Sequence, residues 1–374
     1  MAKGIYIGID GKARKVKKAY IGVDGKARKI KKGYIGVGGV ARLFYSSEKE
    51  LIYYGTATDM TTGRRDLAAT SVGDYALFAG GYNGDYLATV DTYTSTLAKG
   101  TATDLTKAKS NLAATTVGNY AIFAGGYDGS FRSTVDVYNK SLTHSTPTSI
   151  LSASMSMLAA TTVGNYALFG GGCTGTSTYS NKVDAYNSSL TKITATKLSV
   201  NRYSLAATTV GDYALFGGGS VDSNFSCSNV VDTYTSALVK GTATTLPLKK
   251  GSLAATAVGD YALFGGGYTG SNQNAAVYAY SKNLSQSTAT AMSEARSSLA
   301  ATSVGGFALF AGGQNSSSSS KRADAYDVNL TRYVPTDMSK SRLSLAATSI
   351  GDYALFGGGF NGSQLASVEV YQVV

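Results

Sequence analysis

The chain has 374 residues, of which 45 are Gly and 27 are Tyr, with three Pro and no Trp. It contains no run of 18 apolar residues and no apolar segment near Met1, so we expect neither a transmembrane helix nor a signal peptide. Residues 1–45 carry 12 Lys or Arg against two Asp, whereas residues 46–374 carry 22 basic and 21 acidic residues. This asymmetry predicts two functional parts, a basic module over 1–45 and a nearly neutral domain over 46–374.

The first part is built from a repeated unit of 14 residues. Its three copies are marked by Tyr6, Tyr20 and Tyr34, and each contains Asp-Gly or Gly-Gly between β-branched segments. This pattern is typical of a type I′ turn, so it predicts three successive β-hairpins. Hairpins with so little apolar surface do not hold a core by themselves. We therefore expect the module to pack on a partner or on further copies of this chain.

The third unit differs from the other two, because Leu43, Phe44 and Tyr45 replace part of its Lys-rich strand. Tandem units with this sequence resemble the N-termini of structural proteins in phages and prophages of Gram-positive bacteria. The resemblance implies an attachment module that binds other virion proteins, with the contacts made by Tyr6, Tyr20, Tyr34, Leu43, Phe44 and Tyr45. Two other interpretations stay open for the Lys clusters, namely solvated strand faces and, less favoured, a nucleic-acid contact.

A longer repeat follows residue 46. The segment from Leu67 to Gly81, Leu-Ala-Ala-Thr-Ser-Val-Gly-Asp-Tyr-Ala-Leu-Phe-Ala-Gly-Gly, recurs with few changes. Its first residue marks seven copies, 45 to 48 residues apart, at Leu67, Leu112, Leu158, Leu205, Leu253, Leu299 and Leu345. Turn signals predict four short strands per copy, which in the first copy are Leu67–Val72, Tyr75–Gly80, Thr89–Thr94 and Gly100–Leu105. Seven such copies predict an all-β fold, a seven-bladed β-propeller.

The two ends of the repeat array predict how the ring closes. The seventh copy reaches Val374 after its third strand, and the fourth strands of other copies contain Thr-Ala-Thr. The same Thr-Ala-Thr sequence precedes the first copy, in Tyr54-Gly-Thr-Ala-Thr-Asp-Met60. We therefore expect residues 54–60 to supply the outer strand of the last blade.

Three features of this repeat resemble Kelch repeats. They are Gly80-Gly81 after an apolar strand, Tyr93 about a dozen residues later, and the basic residue Arg64 before the first strand. The resemblance implies a Kelch-type propeller over 46–374. The chain departs from the family in having no Trp on the fourth strand, which predicts a more polar outer edge.

Few residues could carry catalysis or bind a metal. His144 is the single His, which excludes copper sites of the kind in Kelch-containing oxidases and His-based zinc sites. The Gly-rich stretches end strands without opening a helix, so they predict no phosphate loop. Cys173 and Cys227 lie in corresponding loops, where two free thiols are favoured over a disulfide bridge. We expect no enzymatic activity, no cofactor and no metal.

Two sets of charged residues recur with the repeat. Three residues before each leading Leu lies the basic ring, Arg64, Lys109, Arg202, Lys250, Arg296 and Arg342, with Met155 in the third copy. Two residues before the outer Tyr of strand 3 lie Asp91, Asp136, Asp184, Asp232, Tyr278, Asp324 and Glu369. The favoured interpretation is structural pairing of the two sets, and the alternative is a cationic mouth that binds acidic sugars or phosphates.

The loop between strands 2 and 3 varies most among the copies and is expected on one face of the ring. It is rich in aromatic and small polar residues, which suit glycan or protein recognition. The candidate ligand-binding residues are Tyr82, Tyr86, Tyr127, Phe131, Tyr179, Phe225, Tyr268 and Phe360.

Together these patterns favour a non-enzymatic virion structural protein, made in the bacterial cytoplasm. In this hypothesis the propeller face recognises a bacterial surface glycan or protein, and residues 1–45 anchor a homo-oligomer to the particle without entering a membrane. Two alternatives stay open: a structural or decorating virion protein without a receptor role, and a propeller enzyme that processes glycans. Paired carboxylates in the channel, about 5–10 Å apart, would favour the enzyme.

Overall fold

The structure, a computed structural model, describes residues 6–9, 12–15, 19–23, 26–30, 32–37, 40–46 and 49–374. The chain divides into two compact units, residues 1–51 with Val373–Val374, and Ile52–Gln372. In the described part every regular element is a β-strand, which confirms the predicted all-β class. No helix that could cross a bilayer occurs among these residues.

The N-terminal unit contains the three predicted hairpins, each an antiparallel two-stranded sheet. Their strands are Tyr6–Ile9 with Lys12–Lys15, Ala19–Val23 with Lys26–Ile30, and Lys32–Val37 with Val40–Ser46. The predicted turns at Asp10-Gly11, Asp24-Gly25 and Gly38-Gly39 lie outside the described residues. The same holds for the side chains of Tyr6, Tyr34, Leu43, Phe44 and Tyr45. The exposed fraction of Tyr20 is 56%.

The second unit is a seven-bladed β-propeller, and each blade is a four-stranded antiparallel sheet. The innermost strands, strand 1 of blades 1 to 7, are Ala68–Val72, Ala113–Val117, Ala159–Val163, Ala206–Val210, Ala254–Val258, Ala300–Val304 and Ala346–Ile350. They neighbour one another around the axis, and blade 7 contacts blade 1. Their small side chains fit this crowded position, as the sequence predicts.

The outer strands complete each blade in order. Strand 2 is Tyr75–Ala79, Tyr120–Ala124, Tyr166–Gly170, Tyr213–Gly217, Tyr261–Gly265, Phe307–Ala311 and Tyr353–Gly357. Strand 3 is Val90–Thr94, Val135–Asn139, Val183–Asn187, Val231–Thr235, Val277–Ser281, Ala323–Asp327 and Val368–Val373. Strand 4 is Lys99–Ala102, His144–Ser145, Lys192–Ala195, Lys240–Ala243, Gln286–Ala289, Arg332–Tyr333 and, in blade 7, Leu51–Ala57. Blade 3 adds a small hairpin, Cys173–Gly175 with Thr178–Tyr179.

Each blade contains an aromatic pair, and in blade 1 this pair packs against blade 7. In blade 1, Phe78 and Tyr93 meet edge to face with ring centroids 5.9 Å apart. The Tyr93 hydroxyl donates to the Thr58 carbonyl at 2.8 Å. Seven outer Tyr residues of strand 3 form this bond to a carbonyl that follows strand 4 of the preceding blade, at 2.7 to 2.9 Å: Tyr93, Tyr138, Tyr186, Tyr234, Tyr280, Tyr326 and Tyr371. The acceptor directly follows strand 4 in five cases, and for Tyr186 and Tyr371 it is Ser149 and Thr336, a few residues further along the chain. Strand 4 of blade 1 ends at Ala102 and not at the predicted Leu105, because the next residue, Thr103, accepts a hydrogen bond from Tyr138.

The Gly-Gly pair after strand 2 is required by the close approach of a backbone from the next blade. The Gly81 N–H donates to the Lys109 carbonyl of the next blade at 2.9 Å. A Cβ at Gly80 would lie 2.6 Å from that same oxygen, and both glycines have φ in the left-handed region. Only Gly accepts this approach of two backbones.

The outer strand of blade 7 comes from the opposite end of the chain. Leu51–Ala57 lies beside Val368–Val373 as the fourth strand, whereas the sequence predicts 54–60 for this strand. The register agrees with the sequence match, since Thr58 binds Tyr93 as Thr103 binds Tyr138. The strand begins earlier because no turn connects it to strand 3, so pairing runs further along both strands.

Candidate binding face

One end of the central channel is encircled by seven equivalent residues, here called the mouth ring. Each stands directly before a leading Leu and has a left-handed φ of 49 to 56°, in the order Asp66, Asn111, Met157, Ser204, Ser252, Ser298 and Ser344. Each N–H donates to the carbonyl of the member in the preceding blade, at 2.8 to 3.0 Å. Since Asp66 donates to Ser344, these seven backbone bonds form a closed circle.

The mouth ring and the seven leading Leu residues line an open depression of about 230 Å³. Its polar side chains are hydroxyls, one amide and the single carboxylate of Asp66. Burial raises the pKa of Asp66 above its ordinary value, although the Ser344 hydroxyl and Arg65 act in the opposite direction. The mouth therefore offers hydrogen-bonding groups and one carboxyl group whose pKa is raised by burial.

Deeper in the channel, hydroxyl groups connect neighbouring inner strands. Those of Thr70 and Thr116 lie 2.8 Å apart, and the Thr116 hydroxyl is also hydrogen-bonded to the Ser71 carbonyl. The equivalent contact recurs between blades 2 and 3 and between blades 3 and 4. Among the described residues, no group of three His, Cys, Asp or Glu comes together as a metal site.

The basic ring lies inside the blades. Arg64, Lys109, Arg202, Arg296 and Arg342 each form an ion pair with the acidic residue of the same blade, at 2.5 to 2.9 Å, and both partners are 0% exposed. This arrangement matches the structural pairing that the sequence favours. The interpretation as a cationic mouth does not fit such burial, because a ligand in the channel cannot reach these side chains.

Each buried acid also binds a Ser or Thr, which the sequence reasoning missed. In blade 1, the backbone N–H and the hydroxyl of Thr61 both donate to Asp91, at 3.0 and 2.6 Å. Equivalent caps come from Thr106, Ser152, Ser199, Ser293 and Ser339. The signal was available, because each cap stands three residues before the basic-ring position. In blade 2, burial alone would raise the pKa of Asp136, but Lys109 and Thr106 outweigh it and lower that pKa.

Blades 3 and 5 break the pairing. In blade 3, Met155 replaces the cation, and Asp184 keeps its Ser152 cap and lies 3.4 Å from Lys192. In blade 5, Tyr278 replaces the acid, and the Lys250 amine lies 4.3 Å from the centre of its ring. Burial lowers the pKa of Lys250 from 10.5 to about 7.

The loop aromatics lie on the same face as the mouth ring, because Arg65, next to Asp66, bridges Tyr82 at the start of the first loop. Centroid distances of 5.2 to 5.9 Å connect Tyr82, Tyr86, Tyr127 and Phe131 in sequence. The Arg65 guanidinium lies over Tyr82 at 5.7 Å and over Phe360 at 4.9 Å. We call this continuous set the aromatic arc: Phe360, Arg65, Tyr82, Tyr86, Tyr127 and Phe131. It covers blades 7, 1 and 2.

The other predicted loop aromatics form separate pairs. Tyr179 stacks on Tyr203 at 4.8 Å, and Phe225 meets Tyr268 edge to face at 6.4 Å. Phe225 is 53% exposed, whereas the remaining candidates are half-buried. The structure therefore places all eight candidates in the loops of one face but joins only those of three blades into one surface.

Cys173 and Cys227 are both free thiols and both buried. Burial raises the pKa of the Cys173 thiol to about 11. Its thiolate is therefore scarce at neutral pH, which makes it a poor nucleophile.

Neither a protein-family model nor a curated protein matches the sequence. Among solved structures, the structure of YjhT aligns with a TM-score of 0.59 at 9% identity, covering 75% of this chain and 99% of that chain. At such low identity the likeness shows the fold alone. The chain has the β-propeller architecture, and its assignment to Kelch repeats stays a prediction.

Proposed function

We propose that this chain is a non-enzymatic structural protein of a phage or prophage particle, and that its propeller binds a glycan or protein of the bacterial surface. The observation that carries the proposal is the binding face. It combines an open mouth lined by hydroxyl, amide and carboxylate groups with aromatic side chains on adjacent loops. Concave surfaces with aromatic walls and a few polar groups are typical of ligand sites.

The absence of an enzymatic role in this proposal is supported by where the charged groups lie. The six acidic residues that precede the outer Tyr by two positions are buried in ion pairs, and the mouth ring contributes one carboxylate. A pair of carboxylates facing a shared space is what glycoside hydrolysis requires. Among the described residues of the mouth no such pair is present.

In this proposal, residues 1–45 attach the protein to the particle. Support comes from their excess of ten positive charges and from three separate two-stranded sheets, which are marginal without a partner. Such a basic surface suits an acidic site on another virion protein.

The receptor role is tested by binding of the fluorescently labelled full chain to whole cells from a panel of Gram-positive bacteria. We expect saturable binding to at least one strain. Comparing cell binding by Phe225→Ala and by Tyr127→Ala shows whether the Phe225–Tyr268 pair or the aromatic arc contributes to binding. Failure to bind any strain would contradict the receptor role and favour the decorating alternative. A second assay measures incorporation into particles, which deletion of residues 1–45 should abolish.

A further inference from the structure

Three consecutive blades present the same short loop on the binding face. Blades 7, 1 and 2 have eight residues between the second Gly and strand 3, whereas blades 3 to 6 have nine to eleven. The short loops begin Phe360-Asn-Gly, Tyr82-Asn-Gly and Tyr127-Asp-Gly. In each, the first residue forms a backbone bridge with the fifth. A ligand that crosses these blades therefore meets one structural motif three times.

The three loops also share a backbone path. In the first, the Asn83 N–H donates to the Asp85 carbonyl at 3.0 Å, and blades 2 and 7 repeat this bond at 3.2 Å. The glycine of each loop has φ of 97 to 121°, and no atom lies within 4 Å of the place where its Cβ would stand, at Gly84, Gly129 and Gly362. The loop tips are thus open, and the aromatic residues beside them are held at repeated positions.

The aromatic arc is ordered by its own contacts. Tyr86 connects the first loop to the second through Tyr127, with ring planes at 75°. Tyr127 and Phe131 meet at 65°. Edge-to-face pairs of this kind fix ring orientation and add about 0.5–1.5 kcal/mol beyond burial. The arc is therefore preorganised, which lowers the entropic cost of binding.

Arg65 and Asp66 are charged residues at two positions that are uncharged in every other blade. The equivalents of Arg65 in other blades are Ser110, Ser156, Tyr203, Gly251, Ser297 and Leu343, and those of Asp66 are likewise uncharged. The Arg65 Nε lies 3.5 Å from the Asp66 carboxylate. Together they offer hydrogen-bond donors and acceptors side by side, where the aromatic arc meets the mouth ring. Vicinal hydroxyls, which both donate and accept, match such a pair.

The charge of the surface selects between neutral and acidic ligands. The three loops with Arg65 and Asp66 contain two Arg and three Asp, a net charge of −1. Arg132 is already paired with Asp128 at 2.7 Å, as Arg65 is with Asp66. Each Arg of this set has an acidic partner, so the set carries no excess positive charge for an acidic sugar, and Asp66 would repel one at the mouth.

We propose that the aromatic arc binds successive units of a neutral linear polysaccharide, with one sugar held by Arg65 and Asp66 at the mouth. The sugar faces pack on Phe360, Tyr82, Tyr86, Tyr127 and Phe131, and their hydroxyls bind the polar groups of the loops. This inference rests on the proposed receptor function and names its ligand class.

The test measures binding of the full chain to immobilised oligosaccharides. The neutral probes are mono-, tri- and hexasaccharides of glucose, galactose, mannose and N-acetylglucosamine, and the acidic probe is a galacturonic acid hexasaccharide. We expect wild-type protein to bind at least one neutral series, more tightly as the chain lengthens from one to three sugars. Tyr86→Ala and Tyr127→Ala should each weaken hexasaccharide binding about tenfold, because each removes one stacking contact. They should also reduce the gain from added sugars.

The matched control is Tyr333→Ala, which removes an exposed aromatic side chain from strand 4 of blade 6, outside the loops of the binding face, and should leave sugar binding unchanged. Thermal melting followed by circular dichroism verifies that all variants fold. Preference for the galacturonic acid probe would overturn the neutral class. Equal binding by wild type, Tyr86→Ala and Tyr127→Ala would overturn the location, and the receptor function would stand.

Cell binding separates this inference from the proposed function. If cells bind the protein equally well after periodate destroys their surface sugars, the receptor is a protein and this inference is wrong while the proposed function holds. If neither cells nor oligosaccharides bind, both are overturned.

Discussion

Blades 3 and 5 each lack one member of the buried ion pair that the other five blades contain, and they lack opposite members. Blade 3 keeps the acid Asp184 and its Ser152 cap although Met155 replaces the cation. Blade 5 keeps Lys250, but it has Tyr278 at the acid position and Pro247 where other blades have the cap. The cap therefore accompanies the acid and not the cation. A buried acid without its inner cation is held by a hydroxyl and an outer Lys, whereas the buried amine rests on an aromatic ring.

The largest expected effect comes from making blade 4 resemble blade 3. Arg202→Met removes a cation that lies 2.6 Å from Asp232 and also donates to the Gly218 and Phe216 carbonyls. Because these groups are fully buried, we expect the free energy of unfolding to fall by about 3–5 kcal/mol. Urea denaturation followed by circular dichroism measures it. The double variant Arg202→Met, Asp232→Asn should recover part of the loss. A loss below about 1 kcal/mol would mean that the inner cation contributes little in any blade.

A second prediction uses the buried amine of blade 5, which has no acidic partner in its blade and donates to the Ala276 carbonyl at 3.0 Å. Lys250 has a pKa of about 7 in the folded chain and an ordinary value of 10.5, so between these pH values the unfolded chain holds a proton that the folded chain does not. The free energy of unfolding should therefore rise with pH across this window, by up to about 1.4 kcal/mol per unit. Below pH 7 this contribution stays at its lowest.

Lys250→Met should remove that slope and stabilise the protein at neutral pH by a few kcal/mol, on the order given by linkage. The measurement is urea denaturation at pH 6, 7, 8 and 9. Lys249→Met, at the exposed neighbouring position, is the matched control and should keep the wild-type slope. An unchanged slope in Lys250→Met would show that Lys250 titrates near its ordinary value.

The smallest effect is expected from completing blade 3. One Asp184 carboxylate oxygen is buried without a hydrogen bond. Met155→Arg places a guanidinium at the position where five other blades have a cation paired with the acid, so we expect a gain of about 1 kcal/mol. Met155→Leu, which keeps an apolar residue, serves as the control. A loss of stability in Met155→Arg would mean that blade 3 has repacked around the thioether.

Much of the architecture could be predicted from the sequence because it repeats. Seven leading Leu residues gave the number of blades, and the match between Tyr54–Met60 and the other fourth strands gave the register of the closing strand. The basic and acidic positions could be paired because they recur together. The position of the closing strand's first residue, Leu51, could not, because nothing in the repeat specifies how far pairing continues when no turn is present.

Less of the candidate site could be predicted from the sequence, because its contacts depend on the geometry between blades. The loop aromatics could be identified as a group, but whether Tyr86 meets Tyr127 depends on the angle between two blades. The left-handed φ of the mouth ring was also hidden, because Met157 and Ser204 carry no sign of it, unlike Asn or Gly. The Ser and Thr caps had a regular spacing and were overlooked among the many hydroxyl residues of the chain.

The closed circle of backbone bonds at the mouth affects how this surface can diversify. Every amide proton of the mouth ring is used by the neighbouring blade, so the backbone has no donor left there for a ligand. Selectivity must then come from seven side chains that the fold does not need for closure. A lineage can exchange Asp66 or Asn111 for Ser or Gly without opening the circle, provided that the new residue accepts a left-handed backbone. The mouth can therefore acquire a new specificity one side chain at a time while the propeller beneath it stays the same.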